Sequence, residues 1–234
     1  MKRNPLSARE LVGAIGRYRW TRPCNVFRTA VQKFELYELS RRIAEFCHRR
    51  RISHLVLVDG SSRPAYAGIL AFWKHSWPKE VPPQIWFINP KGFVFSDDSG
   101  SRRLSAISRE FVRHYPGLYR KRSERMMLFD VCIHTGNTLR SILRVLGGLG
   151  FDKVSVGTAS RVYAQGIPDI RVDICGLSKR PALLCYPFGV DELVTKETRV
   201  VSSSDIYLDY RQDSVALRRE IRWVVETVSV LAEG

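Results

Sequence analysis

Apolar residues fall along this chain in two alternating rhythms. Short unbroken apolar runs are followed by stretches in which apolar positions recur every three or four residues. The runs are His54 to Asp59, Gln84 to Asn89, Met126 to Phe129 ending in Asp130, Lys153 to Gly157, and Ala182 to Tyr186. Continuous runs of this kind predict strands of a parallel sheet covered on both faces. Asp169 to Cys175 alternates instead, which predicts a strand with one face toward solvent. The slower rhythm predicts helices. Leu36, Leu39, Ile43, Phe46 and Cys47 form a stripe between Phe34 and Arg51, and the closing His48-Arg49-Arg50-Arg51 suits the negative end of a helix dipole. Further helices are predicted from Ala65 to Trp73, from Ser101 to about His114 with a break at Pro116-Gly117, and through Leu139, Ile142, Leu143, Leu146 and Leu149. A last one starts at Asp213 or Ser214 and carries Leu217, Ile221, Val224, Val225, Val228 and Leu231, either onto the domain's own core or as a homodimer contact. Strands alternating with helices predict an α/β fold, a parallel sheet of about five strands with helices on both faces.

Residues 1–30 stand apart as a basic, irregular or partly helical segment. Arg3, Arg9, Arg17, Arg19, Arg22 and Arg28 mix there with Leu11, Ile15, Tyr18, Trp20 and Phe27. Such a mixture can serve RNA by stacking and phosphate contact. The simpler reading packs the aromatics on the core and leaves the arginines in water. The core is expected over 31–175, and the remainder, 176–234, carries the final helix.

A length of 234 residues suits one large domain or a core with a small subdomain. The net charge of +15 points to polyanionic company: a multiply phosphorylated substrate, nucleic acid, or both. Five widely spaced cysteines, with no Cys-x-x-Cys pair, fit a reducing cytoplasm and no structural zinc site. No apolar run reaches the length of a membrane span, and the first residues lack the apolar core of a signal peptide.

The chemistry gathers at two strand-to-helix turns. After Asp130 come Val131, Cys132, Ile133 and then His134-Thr135-Gly136-Asn137-Thr138, where the helical pattern begins. A helix N-terminus offers unpaired N–H groups and a positive dipole end, which suits a phosphate. Gly136 lets the backbone approach an anion closely, and Thr135 and Thr138 add hydroxyl donors. The other turn, Asp59-Gly60-Ser61-Ser62-Arg63-Pro64, is a small-residue loop with an arginine, again a cradle for an anion. Each turn taken singly is also what any βα connection can look like. In a parallel sheet both open on the same edge, where open α/β folds bind ligands.

The first turn resembles the phosphoribosyl-diphosphate (PRPP) signature of type I phosphoribosyltransferases: an apolar strand, two adjacent acids, a few mixed residues, then Thr-Gly-x-Thr. Asp130 matches the first acid and Thr135-Gly136-Asn137-Thr138 the phosphate loop, while Val131 stands where the second acid usually is. The second turn is similar to the Asp-x-Ser-Ala-Arg-Pro loop of a bacterial branch of phosphoribosyltransferase-like proteins. The resemblance implies that His134 to Thr138 hold a 5′-phosphate and that Asp130 reaches a ribose hydroxyl. It implies that Asp59, Gly60, Ser61, Ser62 and Arg63 hold pyrophosphate, with Arg63 neutralising its charge. His134 stands where several members carry an acid proposed as general base. The implied cofactor is Mg²⁺ carried with PRPP. A hood over the sheet, here within 176–210, would supply the base-binding surface, with Tyr186 or Phe188 stacking on a planar ring. A loop before the PRPP strand, here the basic 113–125, would close on the diphosphate; a nucleic-acid contact or mere solubility would explain its charge equally. The adjacent Asp97 and Asp98 can meet a metal or a ribose, or form a solvated turn.

Two functions follow from these residues. One is transfer of a phosphoribosyl group from Mg-PRPP to a nitrogen acceptor, such as a nucleobase, with release of pyrophosphate. The other is a non-catalytic regulator of the same fold that senses a nucleotide or PRPP, or binds RNA or DNA through its basic surface. Val131 and the high charge favour the second, and the intact phosphate loops favour the first.

Overall fold

Five of the chain's strands lie side by side and point the same way. In the computed structural model they are His54–Val58 (β1), Gln84–Ile88 (β2), Met126–Ile133 (β3), Val154–Arg161 (β4) and Ile174–Cys175 (β5), in the order β2-β1-β3-β4-β5. Every neighbouring pair is parallel. The structure describes residues 6–22, 24, 26–58, 62–88, 101–133, 136–161, 170–177, 198–200, 206–208 and 212–233.

Parallel neighbours need crossovers, and helices supply them. Ser62–Ser76 (α3) joins β1 to β2. Ser101–His114 (α4) and Pro116–Arg120 (α5) lie between β2 and β3, and Asn137–Gly148 (α6) joins β3 to β4. Before the sheet come Ala8–Arg17 (α1) and Ala30–Arg50 (α2), and after it Gln212–Glu233 (α7). Thr198–Val200 (β6) and Ile206–Leu208 (β7) form a separate antiparallel pair.

Side chains on a strand alternate between faces, and this divides the core in two. Leu55, Leu57, Met127 and Phe129 pack with Leu36, Leu39 and Ile43 of α2, Ala65 and Phe72 of α3, and Ile221, Val224 and Val228 of α7. Val56, Val58, Met126 and Leu128 pack on the other side with Phe111 of α4, Leu118 of α5, and Leu139, Ile142 and Val145 of α6. All five residues of β1 are buried, as its unbroken apolar run requires. Burial pushes the Cys47 thiol up to about 12, so this cysteine acts as a small hydrophobe.

The N-terminal segment is more ordered than its composition suggests. Ser7 and Glu10 form a reciprocal capping box that starts α1, with the Ser7 N–H donating to Glu10 Oε2 at 2.8 Å. Leu11 and Ile15 are buried, and the N–H groups of Val26 and Phe27 both donate to Glu220 Oε1 on α7, at 2.9 and 2.8 Å. Trp20 stands edge-on to Trp223 at 5.1 Å. Phe27 is buried and Trp20 half-buried, while Tyr18, Arg9, Arg17, Arg19, Arg22 and Arg28 are exposed.

Two expectations need correction. The third helix starts at Ser62, three residues before Ala65, because Pro64 is tolerated in a first turn whose N–H groups lack intrahelical partners. The 113–125 stretch is not an open loop. Pro116 sits at the start of α5, where a proline is favoured, and Leu118 is fully buried. Of the predicted strand from Asp169, Ile174 and Cys175 pair with β4; Ala182 to Tyr186 lies outside the described residues.

α2 and α3 meet closely at Gly68. A Cβ built there would collide with Ser40 Oγ, whose hydroxyl donates to Leu36 O at 2.7 Å. Gly68→Ala is therefore expected to destabilise the protein by roughly 1–3 kcal/mol through overpacking. In a Ser40→Ala background the same change should reverse sign and stabilise by about 0.5–1 kcal/mol, the helix-propensity gain of alanine over glycine. Chemical denaturation of the four proteins of this cycle checks both signs.

Candidate functional site

The strand order fixes where a ligand can enter. From β1 the chain crosses to β2 on one side, and β3 is then added on the other side of β1. The boundary between β1 and β3 is a topological switch point, and the crevice outside the strands' carboxyl ends is the expected ligand site. Both candidate turns open there. One joins Val58 to Ser62, the other Ile133 to Gly136. Neighbouring strands lie about 4.8 Å apart. The register pairs Leu57 with Phe129, so Val58 is level with Asp130, and β3 runs three residues further.

At the β3 turn, Gly136 has φ 74 and ψ 0, is buried, and is the N-cap of α6. Any side chain there would be strained by roughly 1–2 kcal/mol. Its carbonyl accepts the first helical bond, from Arg140 N–H at 2.8 Å. The first turn of α6 carries no acidic residue to compete with an anion, and Thr138 is half-buried in that turn. Asn137 Oδ1 accepts from Arg140 Nη1 at 2.7 Å.

At the β1 turn, Ser62 Oγ is buried and has no hydrogen-bond partner among the described residues, and the same holds for Ser160 Oγ near the carboxyl end of β4. An orphaned buried hydroxyl costs about 1–3 kcal/mol, and such groups call for an explanation. Two of them lie on strands or helices that meet this one rim. Arg63 is buried, with its guanidinium 4.5 Å from the centre of the Phe87 ring of β2. It thus stacks on the β2 side of β1.

Asp130 is half-buried, opposite Thr158 of β4. Val131 points to the other face and is 2% exposed, packed in the cluster of α2, α3 and α7. A carboxylate at 131 would be desolvated among apolar groups, which is a sufficient reason for valine there. The 113–125 stretch sits at the opposite rim, because Arg125 O accepts from the N–H groups of Ser53 and His54 at the start of β1. The eight residues of β3 put roughly 26 Å between that rim and this one, so this stretch does not close on a diphosphate.

Asp59, Gly60, Ser61, His134, Thr135, Tyr186, Phe188, Asp97 and Asp98 lie outside the described residues. Ser160 and Phe87 escaped the sequence reading, the first because the apolar signal of its strand fades at Gly157. Among the described residues no group of three or more His, Cys, Asp or Glu is placed to hold a metal ion. A groove of about 480 Å³ between α1, α2 and Gly176-Leu177 has Arg9, Glu35, Glu38 and Arg42 on its wall and lies away from both turns.

No family model matches this chain, and no curated protein matches it. Among solved structures, it is similar to the HGPRT-ase from Leishmania tarentolae in complex with GMP. The identity is 13%, the TM-score is 0.43, and the match covers 62% of this chain and 76% of that one.

Val131→Asp is expected to cost about 3 kcal/mol or more, since it buries a charge without a partner. Urea denaturation against the wild type measures it; a near-neutral result would mean that the position opens to solvent.

Proposed function

We propose that the chain is a phosphoribosyltransferase that binds Mg-PRPP across the crevice between β1 and β3. The observation that carries this reading is the adjacency of the two phosphate-type turns at one rim of a switch point. In this reading the α6 N-terminus, with His134, Thr135, Gly136, Asn137 and Thr138, takes the 5′-phosphate. The turn of Asp59, Gly60, Ser61 and Ser62 takes the diphosphate, and the Ser62 hydroxyl gains a partner. Arg63 adds positive charge beside it, and Asp130 holds a ribose hydroxyl.

A nitrogen nucleophile then attacks C1 as the C1–O bond breaks. The electron pair leaves on the diphosphate, and the nitrogen's proton goes to His134 or to water. Loop amides stabilise the charge that moves onto the leaving group. Mg²⁺ enters as part of the substrate, held by diphosphate oxygens and by one or two carboxylates at most. Tyr186 or Phe188 stacks on the acceptor ring.

Calorimetric titration with Mg-PRPP tests the binding half. Thr135→Ala with Gly136→Ala is expected to weaken affinity at least about 100-fold, the loss of two charge-assisted hydrogen bonds. Unchanged affinity would place the site elsewhere. Pyrophosphate release with a panel of nucleobases tests the catalytic half. A second reading, a sensor that binds PRPP or a nucleotide without turnover, draws support from Val131, whose place in the core leaves the ribose with one acid on this strand. Binding without release across the panel would favour it.

A further inference from the structure

The rim opposite the two turns is where the strands begin, and the segments entering them lie side by side. Ser53 N–H donates to Arg125 O at 2.9 Å, and Met126 N–H donates to Lys153 O at 3.0 Å. Arg51, Arg125 and Lys153 on these segments are all exposed. α2 ends on the same rim with exposed Arg49, and α5, from the other helical layer, leads into it with exposed Arg120 and Arg122. The cations therefore form a band across both helical layers and the sheet between them.

The band is only partly neutralised from within: Asp152 is exposed beside Lys153 on the same rim, but the other nearby acids are engaged. Glu124 is taken by Lys121 Nζ at 2.7 Å and His54 Nε2 at 2.9 Å, and Glu80 by His48 Nε2 at 2.9 Å. Arg49, Arg51 and Arg120 pair with no carboxylate among the described residues.

Arg51 carries a second signal. Its φ is 51 and its ψ 48, and it is the one non-glycine with positive φ among the described residues. It closes α2 where glycine is the ordinary choice, with Ile52 N–H donating to Cys47 O at 2.9 Å. The turn alone would be served better by glycine, so what the position keeps is the cation.

Five of these six cations are arginines, whose planar fork matches phosphate oxygens. The Arg122 guanidinium lies 4.6 Å from the centre of the half-buried Tyr119 ring, a ready-made plane beside which a base can stack. Of the exposed large apolar residues among those described, Leu6, Tyr18, Val31, Val81 and Val230, only Val81 falls on a segment entering a strand. One valine does not make the apolar insert that a membrane-surface element uses. We infer that this strand-entry rim docks the phosphate backbone of single-stranded nucleic acid, independently of the proposed sugar-phosphate site at the other rim.

Fluorescence anisotropy of the whole chain with a labelled unstructured RNA, across a salt series, tests this. The wild type should show a log–log salt slope of about −3 to −4, some five phosphate contacts at roughly 0.7 each. Arg51→Gly should leave Tm no lower yet weaken binding about threefold, and adding Arg120→Ala should bring the loss to about tenfold and flatten the slope by about one unit or more. Arg17→Ala removes the same charge from the last turn of α1, beside Ala30 at the far end of α2, roughly 30 Å away; it should leave affinity unchanged. Equal losses from Arg17→Ala, competition by PRPP, or absence of RNA binding would overturn the inference. So would binding to vesicles of about 30% phosphatidylserine without binding to RNA.

Discussion

The structure depends on the parallel pairing of β1 with β3. These strands lie in the middle of the sheet, are covered on both faces, and contribute buried residues to both halves of the core. Their register does more than close the core. A slip of one residue would turn every side chain of β3 to the opposite face, sending Asp130 inward among Leu36 and Ile221 and Val131 toward the ligand side. Burial of Met127 and Phe129 thus decides which residue at the rim is available for chemistry. The same pairing makes the two turns follow neighbouring strands at one rim, with β3 reaching three residues past the level of Val58.

Strand polarity then separates two kinds of surface. At the carboxyl ends stand Gly136, small hydroxyl side chains, helix N-termini and one buried arginine, Arg63. At the amino ends, helix C-termini and strand lead-ins collect arginines. The net charge of +15 is therefore not one diffuse property of the chain. Much of what residues 48–51 and 113–125 contribute sits a full strand length from the two turns, although the charge of 113–125 was expected to close on one of them.

Most of the architecture was legible because the central strands β1 and β3 are buried on both faces and so read as unbroken apolar runs. Both turns were legible for a different reason: small residues and threonines gather where apolar runs end. The failures have physical causes. Pro116-Gly117 looks like a terminator, but a proline that ends one helix can start the next, and the lone Leu118 gives α5 too short a pattern to see. Ser7 and Glu10 carry a capping box that starts a helix of only ten residues, in which apolar positions are few among the arginines. The stacking of Arg63 on Phe87 was invisible because its partner is on another strand. The buried hydroxyls of Ser62 and Ser160, without a partner among the described residues, could not be read from sequence at all, since they depend on what neighbouring elements place beside them.

α7 covers one entire side of the sheet together with α2 and α3, and its Glu220 ties down the backbone at Val26 and Phe27. It is also the last of these elements to be synthesised. While the ribosome is still making it, the faces of α2 and α3 that pack on Ile221, Val224 and Val228 lack their cover, and the Val26–Phe27 backbone lacks the Glu220 carboxylate. Nascent chains of this protein must therefore wait with an apolar wall open to their surroundings, which makes chaperone capture or aggregation during translation a hazard built into the order of its parts.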